Sequence, residues 1–522
     1  MKIIKNYINK KIYKAYRKLK KNNQLLIFIK IKDEISDKSL TSRNINLYFL
    51  KNYKLNNEIL VRQFLIRKLL GYTFNKILLF SMGTNTKFIY PLHYNWIKVL
   101  KKNDVKINVP MCFFLWYIFI LFLFLKDLFF ILKYILKNIF IKKKNTDTTN
   151  SIYFIKLNKK NLPLSSEDLN SKNIISWFIE KYKFSFQYKK IFHDYKVRDF
   201  NFKEKEIIYS HRIYKSKNNF NDSVSLYKHT MKYILNLILF LFKKEWFYLV
   251  FLKEFFLLKE FELSKGNQQS KAYLFHSSDW IFRPFWTYAA EAENIEIILY
   301  FYSVNYEKNI KISKSSWHLT NWPKLIVWDN YQKNFFENII TNQKTSIEII
   351  NPIWFEDNTS KLFNLNLPKN SIAIFTELPQ KYSRYVTMGF PDNLYSAEKT
   401  INMIEDINDT FKNFNIFLIH KPKRNIGNLI NKRYLNFIKS LKKIDKHIVV
   451  SSEINAVHII KNCICTISQP FTSTALMSKY YKIPSIYYDT TGTLNKNHIA
   501  AHGIKIINTK DELYNWFNKL NK

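Results

Sequence analysis

Hydrophobic and polar positions change rhythm twice along this chain. Over residues 1–110, apolar stretches alternate with Lys-rich ones at spacings compatible with short strands or helices. Residues 111–125 then form an uninterrupted apolar run of about 15 residues, short of the ~20 that a bilayer-spanning helix needs. Lys126 and Asp127 interrupt it. Leu128, Phe129, Ile131, Leu132, Ile135, Leu136 and Ile139 resume it at helical spacing, with Lys126, Lys133 and Lys137 on the opposite face and Lys142 to Lys144 at its end. Such a helix lies in a membrane interface, packs in a core or spans a bilayer. Its basic face fits the interfacial arrangement. A polar linker, 145–150, follows, and Tyr233 to Glu262 is a second amphipathic stretch ended by Gly-Asn-Gln-Gln-Ser at 266–270.

Beyond that break the pattern becomes regular. Strands are expected at Ala272 to Phe275, Ile295 to Tyr302, Leu325 to Trp328 and Ile347 to Ile350, with helices at Pro284 to Ala292 and Tyr331 to Ile339. The alternation restarts with strands at Ser371 to Phe375, Ile416 to Ile419, His447 to Val450, Cys463 to Ile467 and Ser485 to Tyr488. Between them lie helices at Ala397 to Phe414, Arg433 to Leu441, Ile454 to Ile460 and Thr472 to Tyr481. Two successive units of this kind predict an α/β fold: two Rossmann-like domains facing a cleft, with a helix-rich basic N-terminal region. The expected organisation is a basic N-terminal part of the first domain at 1–110 and an apolar and basic helical segment at 111–144. A helix-rich insertion at 145–265, an acceptor-side Rossmann-like unit at 266–360 and a donor-binding one at 365–522 complete it.

Composition narrows the function classes. At 522 residues the chain is too long for one core, and 47% hydrophobic residues argue against global disorder. Only 7 glycines leave little room for a glycine-rich phosphate loop. The net charge of +43 reflects a Lys-, Asn- and Ile-rich coding bias or attraction to an anionic membrane surface. No nucleic-acid-binding signature accompanies it, so no nucleic acid partner is expected. Three cysteines, Cys112, Cys463 and Cys465, make no disulfide framework and complete no zinc set. They point to a reducing, cytoplasmic compartment. Residues 1–21 are basic without an apolar centre, so no secretory signal is expected.

Four segments carry candidate chemistry at strand ends, where open α/β sheets bind ligands. Ser468, Gln469, Thr472, Ser473 and Thr474 lie between a strand and a helix whose N-terminus suits phosphate; one such hydroxyl can instead simply cap the helix. His420, Lys421, Lys423 and Arg424 follow another strand and can neutralise a diphosphate leaving group or form a solvated basic loop. Asp279 is a candidate general base and Arg283 an anion-binding residue, with Trp280 and Trp286 suited to stacking on a sugar; an Asp–Arg ion pair beside core tryptophans is the alternative. Tyr302, Ser303 and Asn305 end the next strand. Glu377, after Ser371 to Phe375, rivals Asp279 as base, with Tyr382, Ser383 and Arg384 close behind.

Gln469-Pro470-Phe471-Thr472-Ser473-Thr474 resembles the signature of the PFTS-motif polysaccharide biosynthesis proteins, which are associated with bacterial O-antigen and other surface-carbohydrate gene sets. Arg283 to Tyr288, Tyr300 to Asn305 and Trp322 to Gln332 also look like that family, and the resemblance covers roughly 270–495. More broadly, Thr472, Ser473, Thr474 and Pro484 are similar to the donor loop of GT-B glycosyltransferases, whereas Met477 and Lys482 stand where a Glu and a Gly would. The resemblance implies a metal-independent glycosyltransferase of bacterial surface polysaccharide (O-antigen, lipopolysaccharide or capsule) assembly, with no cofactor. Its partners would be a nucleotide sugar and a glycan or glycolipid acceptor, at the inner face of the cytoplasmic membrane. A non-catalytic scaffold of the same pathway, or a CDP-polyol phosphotransferase of teichoic-acid-like polymers, are the alternatives.

Overall fold

A computed structural model describes residues 2–520 apart from 39, 41–44, 54, 141–147, 149, 159–160, 164–172, 184, 211–219, 243–244, 265–268, 304–318, 342–343, 354–365, 382–393 and 424–426. Two sheets organise the chain. The first contains β1 (Ser151–Ile155), β2 (Lys190–His193), β3 (Phe200–Phe202), β4 (Lys205–Tyr209), β5 (Ala272–His276), β6 (Glu296–Tyr300), β7 (Lys324–Val327) and β8 (Ser346–Ile349). Their spatial order is β3-β4-β2-β1-β5-β6-β7-β8, with β3 antiparallel to β4 and the other pairings parallel. The second contains β9 (Ser371–Thr376), β10 (Phe417–Pro422), β11 (His447–Val449), β12 (Cys465–Ser468), β13 (Ser485–Tyr488) and β14 (Lys505–Ile507), in the parallel order β11-β10-β9-β12-β13-β14.

In each sheet the chain starts in the middle, builds outward on one side, and returns past its first strand to build the other. The reversal falls between β1 and β5 in the first sheet and between β9 and β12 in the second. This is the dinucleotide-binding strand order, twice, and each reversal opens a crevice at the carboxyl ends of two neighbouring strands. The chain therefore has two Rossmann-like domains.

The period-2 geometry of the strands divides the core. Tyr153, Ile155, Tyr273, Phe275, Ile297, Leu299, Leu325 and Val327 join a cluster with the N-terminal helices. Their neighbours Ile152, Phe154, Ala272, Leu274, Ile298, Tyr300 and Ile326 point the other way, into a cluster that also holds Ala373, Phe375, Ile419 and Tyr487 of the second sheet. One continuous apolar core thus joins the two domains. Ile372, Ile374, Cys465, Ile467, Ile486 and Tyr488 fill a third cluster on the far face of the second sheet.

Residues 2–140 are mainly helical where described, with helices Lys2–Lys21, Leu25–Asp37, Asn57–Leu69, Tyr72–Thr84, Tyr94–Lys102 and Val109–Phe140 and one isolated bridge between Phe88 and Ile107. Ile12, Ala15, Tyr16 and Leu19 show why the first is a helix: all are buried, at the spacing of one helical face. Residues 145–265 differ from the expected helix-rich insertion. Helices Ile174–Lys181, Phe220–Phe242 and Leu252–Leu263 are present, but β1 to β4 lie here too and supply half of the first sheet. Runs such as Ser151–Ile155, with five buried residues, are too short to separate from a helix segment by periodicity alone. The alternation expected beyond residue 270 is reproduced, with element ends shifted by a few residues: Ala397–Phe411 for the helix expected to reach Phe414, and Phe417–Pro422 for the strand expected to stop at Ile419.

Candidate functional site

The crevice of the second sheet lies where β9 and β12 end. Gln469, 1% exposed, ties those ends together. Its N–H donates to Phe375 O at 3.0 Å, its Oε1 accepts the Glu377 N–H at 2.7 Å, and its Nε2 donates to Thr400 Oγ1 at 2.8 Å. Gln469 is therefore committed to the fold rather than presented to a donor, as expected of a buried amide that must satisfy its polar atoms.

The turn into helix Ser473–Tyr480 passes through Phe471, whose φ of 62° is left-handed, a conformation costly for a side chain of this size. Its ring is held against Tyr487 and His498, with centroids at 6.0 and 4.9 Å. Tyr395 Oη donates to Pro470 O at 2.7 Å, and Tyr487 Oη donates to Thr472 O at 2.9 Å. Thr472 is the N-cap, yet its hydroxyl turns away from the helix and donates to Gln469 O at 2.8 Å. Ser468 Oγ lies 3.0 Å from Thr474 Oγ1, which is 3.2 Å from Thr472 Oγ1. Ser468 and Thr472 are buried; Ser473 and Thr474 stand half-buried at the helix start. A strained turn is thus braced so that the positive end of a helix, flanked by two hydroxyls, meets the crevice without the usual side-chain cap.

Across this crevice Lys423 forms an ion pair with Glu377, and its N–H donates to Thr376 O at 3.0 Å. His420 and Lys421 differ from the expected rim loop, because β10 continues through Pro422 and draws both into the sheet. His420 is fully buried, with Nε2 at 2.9 Å from Thr376 Oγ1. Burial, reinforced by neighbouring His447, pushes its pKa down to about 3, so it is neutral and cannot stabilise phosphate as a cation. Lys421, 6% exposed, donates to Ser452 O at 3.2 Å. Arg424, Tyr382, Ser383, Arg384 and Asn305 lie outside the described residues.

The crevice of the first sheet holds a second polar group, between the ends of β1 and β5. Lys156 Nζ donates to Ser277 Oγ at 3.1 Å, and Ser277 Oγ accepts the Asp279 N–H at 3.1 Å. Asp279 Oδ2 is 2.6 Å from Arg67 Nε. Asp194, after β2, accepts the N–H groups of Lys156 and Leu157 at 2.6 and 3.0 Å. Tyr302 stacks on His276, with centroids 4.4 Å apart and planes within 8°. Burial lowers the His276 pKa to about 4, which leaves it neutral. The sequence reading missed Arg67, Lys156 and Asp194. Lys156 and Asp194 each follow a short apolar run, the signal that marks the strand ends read elsewhere; Arg67 lies on a remote helix and carries no such signal.

Arg283, expected to bind an anion, is 1% exposed and occupied structurally. Its Nε donates to Thr287 Oγ1 at 2.8 Å, one terminal nitrogen to Asn321 O at 3.0 Å and the other to Thr287 O at 2.8 Å, beside Glu291 at 2.6 Å. It also lines a cavity of about 580 Å3 with Tyr53, Gln63 and Tyr288, none of which belongs to either crevice. Trp280 and Trp286, expected to stack on sugar, are 3% and 1% exposed and pack in the core. Trp280 packs edge-on against Phe301, Phe335 and Phe336, and Trp286 against Tyr273 and Phe275, which leaves neither ring a free face for a sugar.

The two domains also meet through polar contacts. His502 Nδ1 lies 2.5 Å from Asp329 Oδ2, while Asp329 Oδ1 caps helix Asn330–Glu337 by accepting the Gln332 N–H at 3.0 Å. Burial alone would raise the Asp329 carboxyl, but His502 and the Gln332 N–H together hold it below the usual carboxylate range.

Residues 232–517, more than half of the chain, match the family model described as polysaccharide biosynthesis PFTS motif protein. The chain belongs to that family. The strained Phe471 turn and its hydroxyls are therefore the PFTS motif itself. No curated protein matches the chain. Solved structures similar to this PFTS-motif protein include UDP-GlcNAc 2-epimerase from Methanocaldococcus jannaschii, 12% identical over 71% of this chain and 92% of that one, with a TM-score of 0.38. The wall teichoic acid polymerase TagF is 12% identical over 77% and 89%, at 0.37. UDP-glucose:anthocyanidin 3-O-glucosyltransferase in complex with UDP is 8% identical over 72% and 90%, also at 0.37. Identity and scores are low throughout, and the two-Rossmann architecture of the PFTS-motif protein is established by its own strand order.

Proposed function

We propose that this PFTS-motif protein is a glycosyltransferase of bacterial surface polysaccharide assembly that takes its sugar from a nucleotide-linked donor. The observation that carries the reading is the position of the motif: a helix N-terminus without a side-chain cap, flanked by Ser473 and Thr474, at the strand-order reversal of a Rossmann-like domain. The donor diphosphate sits on that helix start. Lys423 leaves Glu377 for the phosphate and offsets the charge that develops on the leaving group. That exchange also frees the Glu377 carboxylate. On the acceptor side, Asp279 is the candidate base, oriented by Arg67 and Ser277. The donor is a substrate, and the residues assigned here act without a cofactor. The acceptor is a glycan or glycolipid at the inner face of the cytoplasmic membrane.

Calorimetric titration with UDP, CDP, GDP and CMP tests this reading. One nucleotide should bind, and the double variant Ser473→Ala/Thr474→Val should bind it at least ~10-fold more weakly, the loss of roughly one charge-assisted hydrogen bond. Equal affinity in the variant would refute the assignment. A non-catalytic scaffold is the second reading, favoured by Met477: it is 8% exposed and packed in the core where GT-B enzymes carry a ribose-binding Glu. A scaffold binds none of the four nucleotides.

A further inference from the structure

Helix Val109–Phe140 has two unlike sides. Cys112, Trp116, Ile120, Leu123 and Ile131 are buried against the helical bundle. On the other side Phe114, Ile118, Leu121, Phe122, Leu125, Phe129, Leu132 and Leu136 are 45–69% exposed, in one continuous stripe at helical spacing. Only 22% of the most apolar part of this helix is buried, so it is not a core helix. Soluble surfaces rarely carry an apolar stripe of this length.

The two charges that interrupt the apolar run do not break the stripe. Asp127 faces the protein: its Oδ2 accepts the Lys253 N–H at 3.2 Å, in the first turn of helix Leu252–Leu263. Lys126 and Lys133, both exposed, stand seven residues apart along one edge of the stripe. Tyr134 donates to the buried Glu260 on the same partner helix. Packing against the protein therefore runs from Val109 to Ile135, ~39 Å at 1.5 Å per residue, more than the ~30 Å thickness of the hydrocarbon core. A transbilayer arrangement would carry Lys253, Glu254, Lys259, Glu260 and Glu262 of the partner helix into hydrocarbon with it. Lying flat buries the stripe alone. A second exposed row, Tyr227, Met231, Leu235 and Leu239, runs along helix Phe220–Phe242 beside exposed Lys228 and Lys232, and that helix packs on the same partner.

We infer that helix Val109–Phe140 is a monotopic membrane dock that lies in the plane of an anionic bilayer, its apolar stripe among the acyl chains and Lys126 and Lys133 at the headgroups. Charge selects the occupant. The chain carries +43, so a second copy meeting this Lys-edged face brings like charge, whereas anionic lipid brings the opposite. The inference is independent of the donor site.

Sedimentation of the full chain with vesicles tests it. The chain should bind phosphatidylglycerol-containing vesicles at least tenfold better than pure phosphatidylcholine ones. Phe114→Gln/Phe122→Gln/Phe129→Gln should remove that binding without lowering the melting temperature, because none of the three side chains is buried. Equal binding by the triple variant, or no vesicle binding by the native chain, overturns the proposal. Depth separates lying from crossing. A fluorophore on Phe114→Cys and one on Leu121→Cys, which lies near the middle of the apolar helix and ~10 Å further along its axis, should be quenched alike by a lipid-borne quencher at one depth. Unequal quenching indicates a span and overturns the in-plane arrangement.

Discussion

His420 illustrates how a single side chain is reassigned when a strand runs three residues further than expected, to Pro422. Its ring is neutral because burial pushes its pKa down to about 3, below the ordinary value near 6.5. The sign follows from proton counting. Between those two values the unfolded chain binds the proton and the folded chain does not, so stability falls as pH drops through 6.5 and is unaffected above it. His420→Gln removes that contribution. Relative to the native chain, the variant should gain about 1 kcal/mol between pH 7 and pH 5.5 in urea unfolding. An unchanged difference between the two pH values would mean that His420 titrates normally. Arg283 was misread for a related reason: a guanidinium near a strand end looks alike in sequence whether it faces ligand or, as here, Thr287, Asn321 and Glu291.

The junction between the loop at 499–503 and helix Asn330–Glu337 depends on Gly503. Its φ is 74°, and an added Cβ would lie 2.7 Å from Tyr331 Oη. Gly492 has a similar φ of 66° but nothing nearer than 4.0 Å. Gly492→Ala should therefore cost about 1 kcal/mol in backbone strain alone, and Gly503→Ala somewhat more, up to about 2 kcal/mol, since the ends of the Tyr331 and Lys479 side chains must also move aside. Equal losses in chemical denaturation would show that the approach to Tyr331 is soft. Elements of this part of the chain were legible because its central strands, Ser371–Thr376 and Cys465–Ser468, are buried on both faces and bounded by polar turns. The Ser/Thr loop was legible for the same reason, as a polar interval between a buried strand and a helix. The first sheet's early strands were not: Lys190–His193 and Phe200–Phe202 are four and three residues long, and their burial comes from residues far away in sequence. The ion pair of Arg67 with Asp279 has the same origin, joining side chains more than 200 positions apart.

Two Rossmann-like domains sharing one apolar core should unfold together, with His502 and Asp329 as a polar tie between them. Asp329→Asn removes the charge of that tie while keeping an oxygen that can cap helix Asn330–Glu337. Scanning calorimetry should then resolve two transitions in place of one; a single sharp transition would show that the apolar core alone enforces cooperativity. Helix Val109–Phe140 bears on the order in which the chain emerges during synthesis. Its inner side is covered largely by helix Leu252–Leu263, made more than 100 residues later. At elongation rates of about 5–20 residues per second, the nascent helix waits on the order of 5–20 s with both sides uncovered. Through that interval a newborn chain is more greasy than the finished protein. Its synthesis calls for a holding chaperone, or for a ribosome already beside the lipid.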